Sequence, residues 1–358
     1  VMLVACSASL DNADYIPGPN GSGSDDTSET EPDVIADNQI KVISFNVRTS
    51  TGDKNTSNAW DLRKKAIPPM FAKENPTVFG VQEARENQMS FLRSQVAGYE
   101  GIGVGRDDGK TAGETMGIFY KTSDVELVKW GTFWLSQTPD TPSKGWDAKY
   151  YRTATWAVFK HKPSGVTFMY VNTHLDNAGK LARQNGLLLI RDKIIEYNTG
   201  NWPVILTADF NSTTDDPIFD SVKGLMTDAR TACPVTDKYG SYNGWGQSNS
   251  VIDHIFYRGF KGISFHTIRD VYDGVQYMSD HYPVSAVLQV QKWLNIIAAA
   301  DQTADFVPET GLFDTETQAA LESYQLTAGL ETLGVVDADT WESLRLAAQG
   351  LCRECQEG

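Results

Sequence analysis

Pro203-Val204-Ile205-Leu206-Thr207-Ala208-Asp209-Phe210-Asn211 is the stretch around which the chain is organised. The apolar run Val204–Leu206 reads as a buried strand. It ends in Asp209 and Asn211, and Ser212-Thr213-Thr214-Asp215 then marks a loop. Side chains alternate along a strand, so an acid and an amide two positions apart share one face. Taken alone, the same residues also read as an ordinary turn after a core strand. Other stretches of the chain decide between the two readings.

Working outward, several predicted strands end in polar residues. Lys41–Val47 is a core strand carrying Asn46 near its end, and Thr77–Glu83 is a second one ending in an acid. Met116–Tyr120 and part of Val125–Leu135 read as strands, as do Thr155–Lys160 and Val166–Thr173. The last of these leads into His174-Leu175-Asp176. Ile252–Tyr257 carries Asp253, and Ser279-Asp280-His281-Tyr282-Pro283 precedes a final strand, Val284–Val290. Helices are expected over Trp60–Glu74 despite Pro68-Pro69, over Gln88–Val96, and over Leu181–Tyr197. In the last of these, Leu187, Ile190, Ile194 and Ile195 form one stripe. This order suits two packed sheets with helices outside. The aromatic residues of 130–156 read mainly as packing, with a substrate groove as the alternative.

Charge divides the chain of 358 residues. Residues 1–38 carry eight acids and no Lys or Arg, residues 39–291 carry 28 bases and 26 acids, and residues 292–358 carry three bases and twelve acids. The middle segment therefore does not repel polyanions, but no segment is basic enough for strong nonspecific nucleic-acid binding. Four cysteines are few for a disulfide scaffold. A monomer is the expected state.

The gathered residues are Asn46, Glu83, Arg152, His174, Asp176, Asp209, Asn211, Asp253, Asp280 and His281. Carboxylates with Asn and no Cys suit a hard cation such as Mg²⁺ or Mn²⁺. Histidines and Arg152 suit phosphate oxygens, and an acid beside a His orients its ring.

On six stretches the chain resembles the endonuclease/exonuclease/phosphatase superfamily with its DNase I-like fold. They are Ser44-Phe45-Asn46-Val47-Arg48, Val81-Gln82-Glu83, Asn172-Thr173-His174-Leu175-Asp176, Ala208-Asp209-Phe210-Asn211, Ile252-Asp253-His254-Ile255 and Ser279-Asp280-His281-Tyr282-Pro283. They fall in the family's order over residues 39–291. Phe133-Trp134-Leu135-Ser136 and Ser143–Ala148 also look like a bacterial branch of it. The resemblance implies an α/β fold, a four-layer α/β/β/α sandwich, and a metal-dependent phosphoester hydrolase. By analogy, Glu83 is the principal metal ligand with Asn46 beside it. Asp280 lies near the metal, and Asp176 either binds metal or supports His174. Asp209 orients or deprotonates the attacking water, and Asn211 positions the phosphate. His281 contacts the phosphate with its ring held by Asp253, while His174 and Arg152 bind the non-bridging oxygens. Arg48 departs from the acid that apurinic-site endonucleases of the family carry, which weakens a DNA-repair reading. A nuclease, a small-molecule phosphodiesterase or phosphatase, and a sphingomyelinase-like lipid phosphodiesterase share these residues. A non-catalytic cell-wall-binding lipoprotein is the competing class, and it would be expected to show gaps in the ligand set.

The ends of the chain point to the cell envelope. Val1-Met2-Leu3-Val4-Ala5-Cys6-Ser7 resembles a bacterial lipobox with Cys6 as the lipidated residue, hence an extracytoplasmic membrane anchor. Gly18–Asp37 reads as an acidic disordered tether. Residues 292–349 are similar to the three-helix peptidoglycan-binding domain through Gly311-Leu312-Phe313-Asp314, Thr317–Leu321, Tyr324-Gln325 and Asp339-Thr340-Trp341. The tail, 350–358, holds Cys352 and Cys355, too few ligands for zinc.

Overall fold

The computed structural model describes residues 34–200 and 202–290, and within the C-terminal segment residues 321–332 apart from 323 and 327. The lipobox, the tether, Cys352, Cys355 and most of the expected wall-binding domain lie outside the described residues. Of that domain, Leu321, Glu322 and Tyr324–Leu326 are helical, with Leu321 and Gln325 buried.

Two parallel strand pairs form the centre of the molecule. β1 (Gln39–Asn46) lies parallel to β2 (Val78–Ala84), and the crossover between them carries α1 (Trp60–Arg63) and α2 (Ile67–Glu74). β7 (Thr167–His174) lies parallel to β8 (Val204–Asp209), with α4 (Lys180–Tyr197) in the crossover. A parallel pair needs such a crossover, and its strands are buried on both faces, hence the apolar runs of β7 and β8; in β1 the buried Lys41 and Ser44 interrupt the run and bond to Glu74 and Gln82.

Antiparallel strands complete each sheet: β3 (Tyr99–Ile102), β4 (Thr115–Lys121), β11 (Phe260–Thr267) and β12 (Val284–Val290) in the first, and β5 (Val125–Trp134), β6 (Thr153–His161), β9 (Thr227–Asp228) and β10 (Asp253–Arg258) in the second. The orders are β11-β12-β1-β2-β4-β3 and β5-β6-β7-β8-β10-β9. The core between the sheets holds Val42, Val78, Ile118, Phe159, Phe168, Ile205 and Phe265. The outer face of the first sheet packs Ile43, Phe45, Phe79 and Phe119 against Ile67, Met70 and Phe71 of α2 and Met89 and Leu92 of α3 (Glu86–Gln95). The second sheet packs Met169, Val171, Leu206 and Phe256 against Leu187, Ile190 and Ile194 of α4. The result is the expected four-layer α/β/β/α sandwich.

Three local expectations change. The helix expected over Trp60–Glu74 breaks into α1, a 3₁₀ turn at Lys64–Ala66, and α2. Pro68 and Pro69 fall in the first turn of α2, where a missing N–H costs nothing. Ile195 is 61% exposed and leaves the α4 stripe. Strands β3, β9 and β11 were not expected, and β11 is interrupted by a bulge between Gly262 and Ser264 that blurs its alternation.

A polar network ties the sheets together beneath the site. Gln82 Nε2 donates to Ser44 Oγ and, across the interface, to Asn172 Oδ1 at 2.7 Å. Asn172 Nδ2 donates back to the carbonyls of Val81 and Gly117, both at 2.9 Å. Gly80 makes room for it, since a Cβ there would lie 2.6 Å from the Asn172 side chain and the Tyr170 hydroxyl. Gly80→Ala is expected to destabilise the fold by about 1–3 kcal/mol through overpacking. Urea denaturation checks this, and an unchanged midpoint would show that the interface gives way freely.

Candidate active site

The parallel strands bring their polar ends to one edge of the sandwich. His174, the last residue of β7, lies opposite Asp209, the last of β8, and Asp209 lies opposite Asp253, the first of β10. One row across three strands thus holds a histidine and two acids. The first sheet supplies Asn46 from the end of β1 and Glu83 from β2, where a register shift between Val81 and Ala84 breaks the pairing with β4. Glu83 and Asn211 sit at φ 63° and 50°, and Arg48 at 52°. Left-handed backbone is tolerated by Asn but unfavourable for Glu and Arg, and such strain gathers at functional sites.

Asn46 joins the two sheets. Its Nδ2 donates to Asp209 Oδ2 at 2.9 Å and to Glu83 Oε1 at 3.1 Å, and its Oδ1 accepts from the backbone of Arg48. Glu83 Oε2 accepts from Thr49 N at 2.9 Å. Asp209 Oδ1 accepts from Asn211 N, while its Oδ2 lies 3.4 Å from His174 Nε2 and 3.7 Å from His281 Nε2. Burial, reinforced by the Asp253 carboxylate, pushes Asp209 up to about 7 against the opposing pull of His281.

The two histidines are driven apart. Asp253 Oδ2 accepts from His281 Nδ1 at 2.8 Å. Burial disfavours the His281 imidazolium, but Asp253 and Asp209 outweigh it and raise the ring to about 10. Burial and the guanidiniums of Arg152 and Arg106 push His174 well below the ordinary range. A neutral His174 accepts from Asn211 Nδ2 at 2.9 Å through Nε2, which leaves its proton on the buried, unpartnered Nδ1. Asn211 also donates to the Leu175 carbonyl. Asp280 is raised by burial, with His281 and the Arg48 guanidinium, 3.4 Å away, working the other way.

Asp176, expected either to bind metal or to support His174, is surrounded by protein donors. Its Oδ1 accepts from the backbones of Ala178 and Gly179, and its Oδ2 from Tyr150 N and Arg152 Nε. Burial raises its pKa, but these donors prevail and hold it down at about 2. With both oxygens engaged, Asp176 holds Arg152, whose Nη1 is left without a partner.

Oxygen-rich donors surround Asn46. Glu83, His174 and Asp209 each offer an atom within 4.8 Å of the others, as do Asp209, Asp253 and His281. Glu83 and Asp209 share one amide NH₂, the place where a cation would reconcile them, and a half-turn of Asn46 would present its oxygen instead. A hard divalent cation fits this set.

Sequence reading missed several residues here. Arg106 is 8% exposed and pairs with Glu114 at 2.5 Å. Arg63, 1% exposed, donates to the carbonyls of Val47, Arg48 and Met278, clamping the loops that carry Arg48 and Asp280. A long basic side chain on a helix or a turn normally reads as solvated, so neither had a signal of its own. Beside the site, a cleft of about 830 Å³ is lined by Ser50, Lys54, Trp60, Arg85, Glu86 and Asp107. Phe133, Trp134 and Leu135 are buried, so this part of the aromatic stretch packs.

A profile of the Endonuclease/Exonuclease/phosphatase family matches residues 43–281. The chain belongs to this family. A solved mannosyl-6-phosphatase of Bacteroides thetaiotaomicron VPI-5482 from the same fold is 37% identical. That match covers 70% of this chain and 99% of the other, with a TM-score of 0.67. A family protein from Bacteroides vulgatus is 35% identical over 71% of this chain and 99% of the other, also with a TM-score of 0.67. An uncharacterized protein of Acanthamoeba polyphaga mimivirus is 26% identical over 275 residues, 70% of this chain and all of that one. The human Nocturnin catalytic domain, 16% identical with a TM-score of 0.56, shares the fold; the match covers 71% of this chain and 94% of that one. Residues 284–344 match a putative peptidoglycan binding domain, and the match begins within β12. Among the described residues no helix is long and apolar enough to cross a membrane.

Proposed function

We propose that the protein is a divalent-metal-dependent phosphoester hydrolase, with sugar phosphomonoesters first among its substrates. The observation that carries the hydrolase reading is Asp209, a buried carboxylate held between Asn46, His174 and His281. It accepts the proton of the attacking water. His281, protonated and braced by Asp253, donates through Nε2 to the phosphoryl oxygen on which charge grows. Arg152, kept in place by Asp176, binds a remaining phosphate oxygen; Asn211 and His174 bind another when the phosphate replaces the hydrogen bond between them and the His174 proton moves to Nε2. Glu83, Asn46 and Asp280 hold the cation, Mg²⁺ or Mn²⁺, which when bound screens the phosphate charge.

The 37% identity with the mannosyl-6-phosphatase favours the sugar monoester over nucleic acid or lipid. The complete donor set speaks against a non-catalytic wall-binding protein. Through residues 284–344 the protein holds peptidoglycan, and Cys6 carries a lipid anchor, which places the enzyme at the cell envelope.

A panel of phosphomonoesters and phosphodiesters with Mg²⁺ or Mn²⁺ tests the hydrolase reading. Hydrolysis is expected, lost in chelator and restored by either ion. The rate should rise as Asp209 gives up its proton at or below about pH 7 and fall towards pH 10 as His281 loses its own. No turnover of any ester would overturn the proposal.

A further inference from the structure

Arg106, Glu114 and Tyr150 form a cluster that the hydrolytic step does not use. Arg106 lies at the start of the turn between β3 and β4, and Glu114 at its end. Backbone bonds from Gly105 to Lys110 and from Arg106 to Glu114 close the turn. Asp108 caps it by accepting from Lys110 and Ala112, and Trp134 Nε1 donates to the Arg106 carbonyl at 2.7 Å. The turn is therefore held rigid against the β5 end of the second sheet.

The Tyr150 ring, 40% exposed, has the Arg106 and Arg152 guanidiniums 5.2 Å and 5.7 Å from its centre. Arg106 Nε is buried and makes no hydrogen bond, with only Asp107 Oδ1 at ion-pair distance, 3.8 Å away. A buried donor normally finds a hydrogen-bond acceptor, so one left without it beside an exposed ring marks an incomplete site. The cluster also stands within electrostatic reach of the phosphate position, because Arg106 acts on His174 and Glu83 acts on both Arg106 and Glu114.

A guanidinium supplies fixed donors and a carboxylate supplies only acceptors. Paired beside an aromatic face, they suit a ring that carries neighbouring hydroxyls on its edge and C–H groups on its face. A nucleic-acid strand fits less well, since Asp61, Glu86 and Asp107 offset Lys54 and Arg85 in the adjoining cleft and leave no basic track for its phosphates.

We infer that Arg106, Glu114 and Tyr150 are the leaving-group subsite and that it selects a polyhydroxylated ring of hexose type. This rests on the reading of the site as a phosphomonoesterase. The test compares wild type, Tyr150→Ala, Glu114→Gln and Arg106→Met on mannose 6-phosphate and on phenyl phosphate, which lacks hydroxyls. Binding of mannose 6-phosphate is measured alongside by calorimetry.

The ratio of kcat/KM for the sugar ester to that for the phenyl ester is expected to fall about tenfold or more in each variant. Tyr150→Ala removes a surface ring, so it separates recognition from folding. An unchanged ratio in that variant overturns the subsite. If wild type hydrolyses phenyl phosphate and ignores sugar phosphates, the hydrolase stands and the subsite falls. If wild type hydrolyses neither ester, the phosphomonoesterase reading fails, the wider ester panel decides the hydrolase, and binding decides the subsite: whether Arg106, Glu114 and Tyr150 receive a sugar ring. Roughly tenfold weaker binding in the variants then supports it, and equal or absent binding overturns it.

Discussion

Asp209→Asn is expected to lower kcat on the preferred phosphoester by on the order of 10³ while KM changes little. The substitution keeps the size of the side chain and its place at the end of β8. Asparagine can still meet Asn211 N with its oxygen, but its NH₂ then faces the Asn46 NH₂, and it cannot take a proton from water. Stability against pH separates a loss of chemistry from a loss of fold. Burial raises the folded-state pKa of Asp209 from 3.8 to about 7. The fold therefore prefers the protonated acid, and ionising it costs stability progressively as pH rises from about 4 to 7. Asparagine bears no such cost. In metal-free protein the melting temperature of the variant should gain on wild type across that window and hold its gain above it. A variant within tenfold of wild-type kcat would remove Asp209 from the role of base. A melting difference independent of pH would show that the carboxylate is not strained by burial.

Asp253→Asn should cost roughly 10²- to 10³-fold in kcat near pH 8. Asp253 Oδ2 accepts from His281 Nδ1 at 2.8 Å, and its charge is what outweighs the burial of the imidazolium. Without that charge His281 loses its proton at lower pH, so the alkaline limb of the rate profile should move down from near 10 by a unit or more. A merely structural role for Asp253 would reduce the rate without moving that limb. The pair also supports the fold. His281 has its folded pKa raised above the ordinary 6.5, so its contribution is complete below about pH 6.5 and is lost as pH rises through about 10. The stability deficit of the variant should accordingly shrink between those values. An alkaline limb that stays near 10 would assign it to a different group.

The primary sequence alone determined that this chain folds as two sheets with a polar set at the ends of the strands. Apolar runs such as Val78–Val81, Phe168–Val171 and Val204–Leu206 announce buried strands, because burial on both faces favours unbroken apolar residues. The polar residues that end those runs, Asn46, Glu83, His174 and Asp209, stand out against them for the same reason. Tertiary structure alone decided what each polar group does. Asn46 reaches Asp209 across 163 residues of chain, and nothing local to either predicts the bond. Asp176 turned out to hold Arg152 and a backbone turn, because the partners that occupy its oxygens come from two separate loops. Arg63 and Arg106 read as solvated bases but are buried, since whether a charge is covered depends on what other segments lay over it. Local pattern records how a residue is buried; the partner that satisfies a buried charge comes from a distant part of the chain, and only the fold supplies it.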